Sequence, residues 1–249
     1  MLWSAKNNTL FFQIPKTGTT SVYNYWKENS PHKDEVDDKF RHWGRAELIY
    51  HEAEITEYLG KHIDTFEQFT FVRDPVERFI SAANYTIRAV HDSRIPKFRV
   101  EAEKSFRVIF NDPKFDIQKL CIDDFYYALW EVYRNSIWPL SPREWLRLWC
   151  VAQKPKEDKF AFGNWDFFRP ITPAYLTDAV SILDFRDFNN EFRKLCGVLD
   201  MPVGLPKHVY NKNKDPAYPV TLSGEVRQKL ETVFYRQDYE FLAKKGMYF

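Results

Sequence analysis

The stretch Leu10-Phe11-Phe12-Gln13-Ile14-Pro15-Lys16-Thr17-Gly18-Thr19-Thr20-Ser21-Val22 limits what this chain can build more than any other. Its apolar run reads as a buried strand over residues 9–14. The run breaks at Pro15 and re-emerges as a hydroxyl-rich helix start, with a helix predicted over residues 18–29 that turns Val22, Tyr25 and Trp26 inward. A strand that feeds a helix leaves the first-turn N–H groups without intrahelical acceptors, and the helix dipole adds to their pull on an anion. Gly18 lets backbone approach a ligand closely, and Lys16 adds a full positive charge. These residues point to a phosphate-like group. The ordinary nucleotide loop, Gly-x4-Gly-Lys-Ser/Thr, is not matched, because Lys16 precedes the only glycine.

A second constellation lies in Phe71-Val72-Arg73-Asp74-Pro75-Val76-Glu77-Arg78-Phe79-Ile80-Ser81. Residues 68–73 are β-branched and aromatic and read as a strand. Pro75 opens a helix predicted to run to about residue 90. Arg73 therefore stands at the carboxyl end of a strand, where open α/β sheets hold their ligands. A guanidinium fork with the hydroxyl of Ser81, two helical turns on, makes a receptor for a second phosphate. The alternative for Arg73 is a salt bridge to Asp74 or Glu77.

The strand–helix–strand alternation over residues 9–90 predicts a βαβ unit in a mostly parallel sheet. Further helices are expected over residues 45–59, 116–134, 142–151, 188–199 and 223–244. A third strand is expected over residues 181–185, and an extended aromatic segment over 160–168. Residues 92–112 are basic and irregular, a solvated face or a substrate-facing lid. Residues 202–219 form a Pro- and Lys-rich loop. The 249 residues hold no linker, repeat or low-complexity tract, which predicts one domain over residues 1–249.

Lys plus Arg number 36 against 35 Asp plus Glu. That balance argues against nucleic acid as a bulk electrostatic partner and leaves room for a local basic pocket. Cys121, Cys150 and Cys196 are far apart and odd in number, which suits a reducing compartment and argues against a zinc site. No signal peptide or transmembrane segment is read, so a cytoplasmic, soluble protein is expected. The 22 Phe, 14 Tyr and 8 Trp predict an aromatic core, with a few exposed rings as an alternative sugar-stacking surface.

With both constellations in view, a family resemblance emerges. Ile14-Pro15-Lys16-Thr17-Gly18-Thr19-Thr20-Ser21 resembles the 5′-phosphosulfate loop of sulfotransferases that use 3′-phosphoadenosine 5′-phosphosulfate (PAPS). Phe71 to Ser81 resembles their 3′-phosphate motif. The likeness is nearest to the carbohydrate (glycosaminoglycan-type, family 2) enzymes. It implies an α/β fold with a P-loop-like central parallel sheet flanked by helices, a single domain with helical additions. It implies PAPS as co-substrate, no metal, and a hydroxyl-bearing acceptor, a carbohydrate. Lys16, Thr17, Gly18, Thr19, Thr20 and Ser21 would hold the 5′ end, and Arg73 and Ser81 the 3′-phosphate. Lys16 would also stabilise the leaving phosphate.

His42, in His42-Trp43-Gly44-Arg45-Ala46-Glu47-Leu48, matches a family segment and is the candidate general base, with Glu47 or Glu52 as alternatives. Asp184-Phe185-Arg186-Asp187-Phe188, Leu205-Pro206-Lys207-His208-Val209-Tyr210-Asn211 and Tyr235-Arg236-Gln237-Asp238-Tyr239-Glu240 resemble later family landmarks. The loop departs from many relatives, which carry Ala-Gly-Thr after the Lys-Thr. Two rival classes stand beside this one. A P-loop kinase or ATPase would use Asp74 or Asp184 on magnesium, and a non-catalytic module would bind nucleotide or glycan without turnover.

Overall fold

The computed structural model describes residues 1–31, 52–91, 100, 103–104, 106–107, 110–134, 168, 170–172, 176–206 and 222–249. The chain divides into two compact units. One comprises Met1–Arg73 and Ile171–Lys214, the other Asp74–Pro170 and Asp215–Phe249.

The first unit is built on a four-stranded sheet in the order β1-β2-β3-β4. Its strands are β1 (Leu2–Ser4), β2 (Thr9–Phe12), β3 (Glu67–Val72) and β4 (Val180–Asp184). β2, β3 and β4 run parallel, with Phe12 opposite Thr70 and Val72 opposite Asp184. Their carboxyl ends therefore lie along one edge. β1 is not among the strands expected from sequence; it pairs antiparallel with β2, Leu2 opposite Phe11. Three residues are too few to show an alternating pattern. The turn between them puts Asn8 at φ 53, a left-handed conformation that Asn tolerates.

Helices α1 (Thr19–Asn29), α2 (Glu52–Leu59) and α5 (Phe188–Val198) belong to this unit. Val22 and Trp26 of α1 and Phe192, Leu195 and Cys196 of α5 share one core cluster with Leu2, Phe11, Phe71 and Leu183 of the sheet. Period 2 along the strands and spacings of three or four along the helices put these side chains on one face each. Tyr25, expected inward, is half-buried and donates its hydroxyl to the Pro202 carbonyl at 3.0 Å. Trp3 meets Tyr58 and Phe66 edge-on, so α2 packs over the outer strand. On α2, Ala53 is exposed, and Ile55 and Leu59 do the burying.

The second unit is helical: α3 (Pro75–His91), α4 (Ile122–Arg134), α6 (Gly224–Lys229) and α7 (Arg236–Lys244). Phe79, Phe106, Phe125 and Phe168 interlock at its centre. The helix expected over residues 116–134 is instead a short turn, Ile117–Lys119, followed by α4. Two carboxylates cause the break. Asp116 accepts from the Gln118 N–H, and Asp124 reaches back to the Cys121 N–H at 2.8 Å. Cys121 is consequently exposed. The last helix, expected as one piece, is interrupted by a π turn, Leu230–Phe234. The segments expected over residues 142–151, and over 160–168 apart from Phe168, lie outside the described residues.

Phe11 is fully buried and meets Phe71 edge-on at 5.9 Å. Phe11→Ala is expected to cost about 3–5 kcal/mol, as large-to-small changes of buried aromatics do. Urea denaturation monitored by circular dichroism checks this.

Candidate functional site

The segment between β2 and α1 is held by its own backbone. Thr17 is buried and its hydroxyl donates to the Ile14 carbonyl at 2.8 Å. This contact closes the loop on itself, and it leaves Thr17 only its N–H for a ligand. Lys16 and Gly18 flank it at φ 69 and φ 75. A left-handed conformation at a lysine is uncommon, and such strain concentrates in loops with a binding role. Helix α1 begins without a side-chain cap. The Ser21 N–H donates to the Gly18 carbonyl at 2.9 Å, and the Val22 N–H to the same oxygen at 3.2 Å. The N–H groups of Gly18, Thr19 and Thr20 precede the first intrahelical donor, so none of them has an acceptor within the helix. A row of donors in a partly buried loop is costly unless something accepts from them, and an anion at a helix N-terminus does so. Ser21, counted among the N–H donors from sequence, spends its N–H on Gly18; its hydroxyl is buried beside the loop.

The need for glycine at position 18 arises from the next strand but one. A Cβ there would sit 2.7 Å from Cε2 of Phe185 and 3.3 Å from Cε2 of Phe188. Phe185 comes directly after β4, and its ring packs against the loop backbone. The same ring lies 5.7 Å from the Arg73 guanidinium, which leaves the end of β3. One aromatic ring therefore lies beside both the loop at Gly18 and Arg73, at the common carboxyl edge of β2, β3 and β4. Behind it a column of rings runs inward. Phe185 meets Phe188 at 5.5 Å, and Phe188 stacks on Phe192 at 5.4 Å and lies tilted against Phe71 at 5.0 Å. In sequence Phe185 and Phe188 stand out only as part of a family landmark, not as site residues. Their signal is an aromatic pair spaced by three directly after an apolar strand.

The two aspartates that a nucleotide triphosphatase would turn to a metal are engaged otherwise. Asp74 accepts the Glu77 N–H on Oδ1 at 2.7 Å and the Tyr239 hydroxyl on Oδ2 at 2.9 Å. It serves as the cap of α3. Asp184 takes its own turn's Arg186 N–H at 2.8 Å and the Arg186 guanidinium at 2.6–3.1 Å. Partial burial pushes the Asp184 carboxyl up, but the Arg186 hydrogen bonds and charge outweigh it, and the net shift is downward. Glu77, the other sequence alternative for pairing Arg73, lies 3.6 Å from Arg227.

Of the residues singled out in sequence, Lys16 to Ser21 and Arg73 come together in the first unit. Ser81 belongs to the second unit, half-buried in the second turn of α3. His42 and Glu47 lie outside the described residues. Glu52 is exposed and bonds the His62 ring at 2.7 Å. Among the described residues no group of three or more His, Cys, Asp or Glu side chains could hold a metal ion, and no helix is long and apolar enough to cross a membrane.

The four-stranded sheet flanked by helices, with an uncapped helix start beside a lysine loop, defines a mixed α/β protein. The model of the Sulfotransferase family matches residues 1–169, and the chain belongs to that family. Comparison with curated proteins and with solved structures gives no match.

Gly18→Ala is expected to cost about 1–3 kcal/mol from the left-handed backbone alone, with the Phe185 clash added. Thermal unfolding reads the loss, and anion affinity should fall with it. Asp184 is stabilising while ionised. Its carboxyl is held below the ordinary value of 3.8, so the contribution is complete above that pH and is lost as pH falls through the lowered value. Asp184→Asn should therefore flatten the acid limb of a stability-versus-pH curve; an unchanged limb would show that the Arg186 contact carries no net stability.

Proposed function

We propose that the chain transfers a sulfuryl group from PAPS to a hydroxyl of an acceptor, a carbohydrate, within a single sulfotransferase domain. The observation that carries this is the shared edge: consecutive N–H donors from Thr17 to Thr20, Lys16 beside them, and Arg73 on the ring that seats Gly18. Family membership supports the sulfuryl chemistry, and the family match runs through stretches of both compact units. The engaged oxygens of Asp74 and Asp184 weigh against the kinase or ATPase alternative.

In this reading the loop binds the 5′-phosphosulfate. Arg73 with Ser81 takes the 3′-phosphate, the group that distinguishes this donor from ATP. The acceptor oxygen attacks sulfur in line as the bond from sulfur to the 5′-phosphate oxygen breaks. Adenosine 3′,5′-bisphosphate leaves. Positioning and charge neutralisation dominate such a loose transfer, by analogy with phosphoryl transfer. Lys16 neutralises charge on the departing phosphate oxygen, while the N–H row holds the same phosphate still. His42 is the candidate base that takes the acceptor's proton. A carbohydrate acceptor is supported by the nearness of the two motifs to those of the carbohydrate-type enzymes. The free thiols Cys121 and Cys196 are in keeping with a reducing, cytoplasmic setting.

Transfer of radiolabelled sulfate from PAPS to a panel of glycans tests the proposal. Lys16→Ala should lower kcat about 10²–10³-fold, the usual size for losing one charge-stabilising donor. His42→Ala should lower it about two to four orders of magnitude while donor affinity holds. A wild-type chain that binds adenosine 3′,5′-bisphosphate yet sulfates nothing would favour the binding-module alternative. Turnover that survives Lys16→Ala would remove Lys16 from the chemistry.

A further inference from the structure

The stretch Tyr235-Arg236-Gln237-Asp238-Tyr239-Glu240 has no part in the donor site as proposed, yet it is built against the helix that carries Ser81. The π turn Leu230–Phe234 ends with the Tyr235 N–H donating to the Leu230 carbonyl at 2.8 Å, five residues back. Such turns add a residue to a helix and re-aim the side chains beyond it. Here Tyr235 is turned fully inward. Its hydroxyl donates to the Phe168 carbonyl at 2.6 Å, and its ring lies 5.6 Å from the buried Arg78 guanidinium. One helical turn later, the half-buried Tyr239 donates its hydroxyl to Oδ2 of Asp74 at 2.9 Å. Tyr235 and Tyr239 are four residues apart, as are Asp74 and Arg78, and the pairs meet in reversed order. Two antiparallel helical turns are thus clasped at two points, both on the first turn of α3.

Asp74 ties this clasp to the rest of α3. Its Oδ1 caps the helix through the Glu77 N–H, so the carboxylate is fixed from both sides. Ser81 stands seven residues after Asp74 on that rigid helix, and Arg73 is the residue joined to Asp74 by the preceding peptide bond. A shift of the cap moves the helix that carries Ser81. Burial, together with the Asp74 charge, keeps the Tyr239 phenol protonated well above its ordinary range, so it remains a donor throughout the physiological pH range.

Resting on the donor assignment made under Proposed function, we propose that Tyr239 is a positioning residue for the 3′-phosphate subsite, acting through the Asp74 carboxylate that caps α3. It touches no reacting atom. Its part is to fix where Ser81 presents its hydroxyl, and it has none in reading the 5′ end, which belongs to the loop from Lys16 to Ser21.

Titration calorimetry of the full chain with adenosine 3′,5′-bisphosphate and with adenosine 5′-monophosphate separates the two ends. Tyr239→Phe is expected to weaken the bisphosphate about three- to tenfold, the loss set by one hydrogen bond to a charged group, and to leave the monophosphate unchanged. In an Asp74→Asn background the same change should add little, since the two residues act as one unit. A variant that keeps the full preference for the bisphosphate overturns the inference, and so does one that loses both nucleotides equally, which would mark a merely structural tyrosine. A wild-type chain that binds the two nucleotides alike overturns the donor assignment itself. The two failures are therefore distinct.

Discussion

Close contact between the Phe185 ring and the backbone of Gly18 is the constraint on which the candidate site depends. The ring occupies the space where a Cβ would stand, and the backbone there is left-handed, so both features call for glycine at position 18. That turn starts α1 without a side-chain cap and leaves its first N–H groups without intrahelical acceptors. The same ring lies 5.7 Å from the Arg73 guanidinium. The parallel register of β2, β3 and β4 brings the three strand ends to one edge, and an aromatic residue just past β4 joins what the other two strands deliver. The site is thus a consequence of packing: the column from Phe185 through Phe188 to Phe192 anchors it in the same core that holds the sheet to α1 and α5.

Much of this was legible in sequence because local chemistry dictated it. Pro15, Gly18 and the hydroxyl run fix a strand-to-helix turn with little help from the rest of the chain, and Pro75 does the same for α3. What escaped was decided at a distance. Phe185 looks like any apolar residue until β4 pairs with β3 and brings it beneath a loop more than 160 residues earlier. The three residues of β1 carry no periodic signal and form a strand only because β2 offers its free edge. The expected strand extending to residue 14 stops at Phe12, because the residues after it turn to form the loop contact from Thr17 to Ile14.

Breaks within the helices have a similar cause. Side-chain carboxylates competing for backbone N–H groups split the predicted helix over residues 116–134, and the pattern of apolar spacing alone is blind to that competition. The π turn near the C-terminus is likewise invisible to a 3.6-residue period, yet it decides which face Tyr235 and Tyr239 present. In the second unit the aromatic core and the tyrosine clasp hold α3 from its first turn onward.

The most direct test of the shared aromatic edge is a double-mutant cycle on nucleotide affinity. Phe185→Leu keeps apolar bulk and removes the flat face that Arg73 lies over. Adenosine 3′,5′-bisphosphate affinity should fall about tenfold in Phe185→Leu and in Arg73→Ala, while the double variant should be scarcely weaker than Arg73→Ala alone, since residues in contact do not contribute independently. Additive losses, or full affinity in Phe185→Leu, would contradict the view that one ring joins the loop and Arg73 into a single donor site.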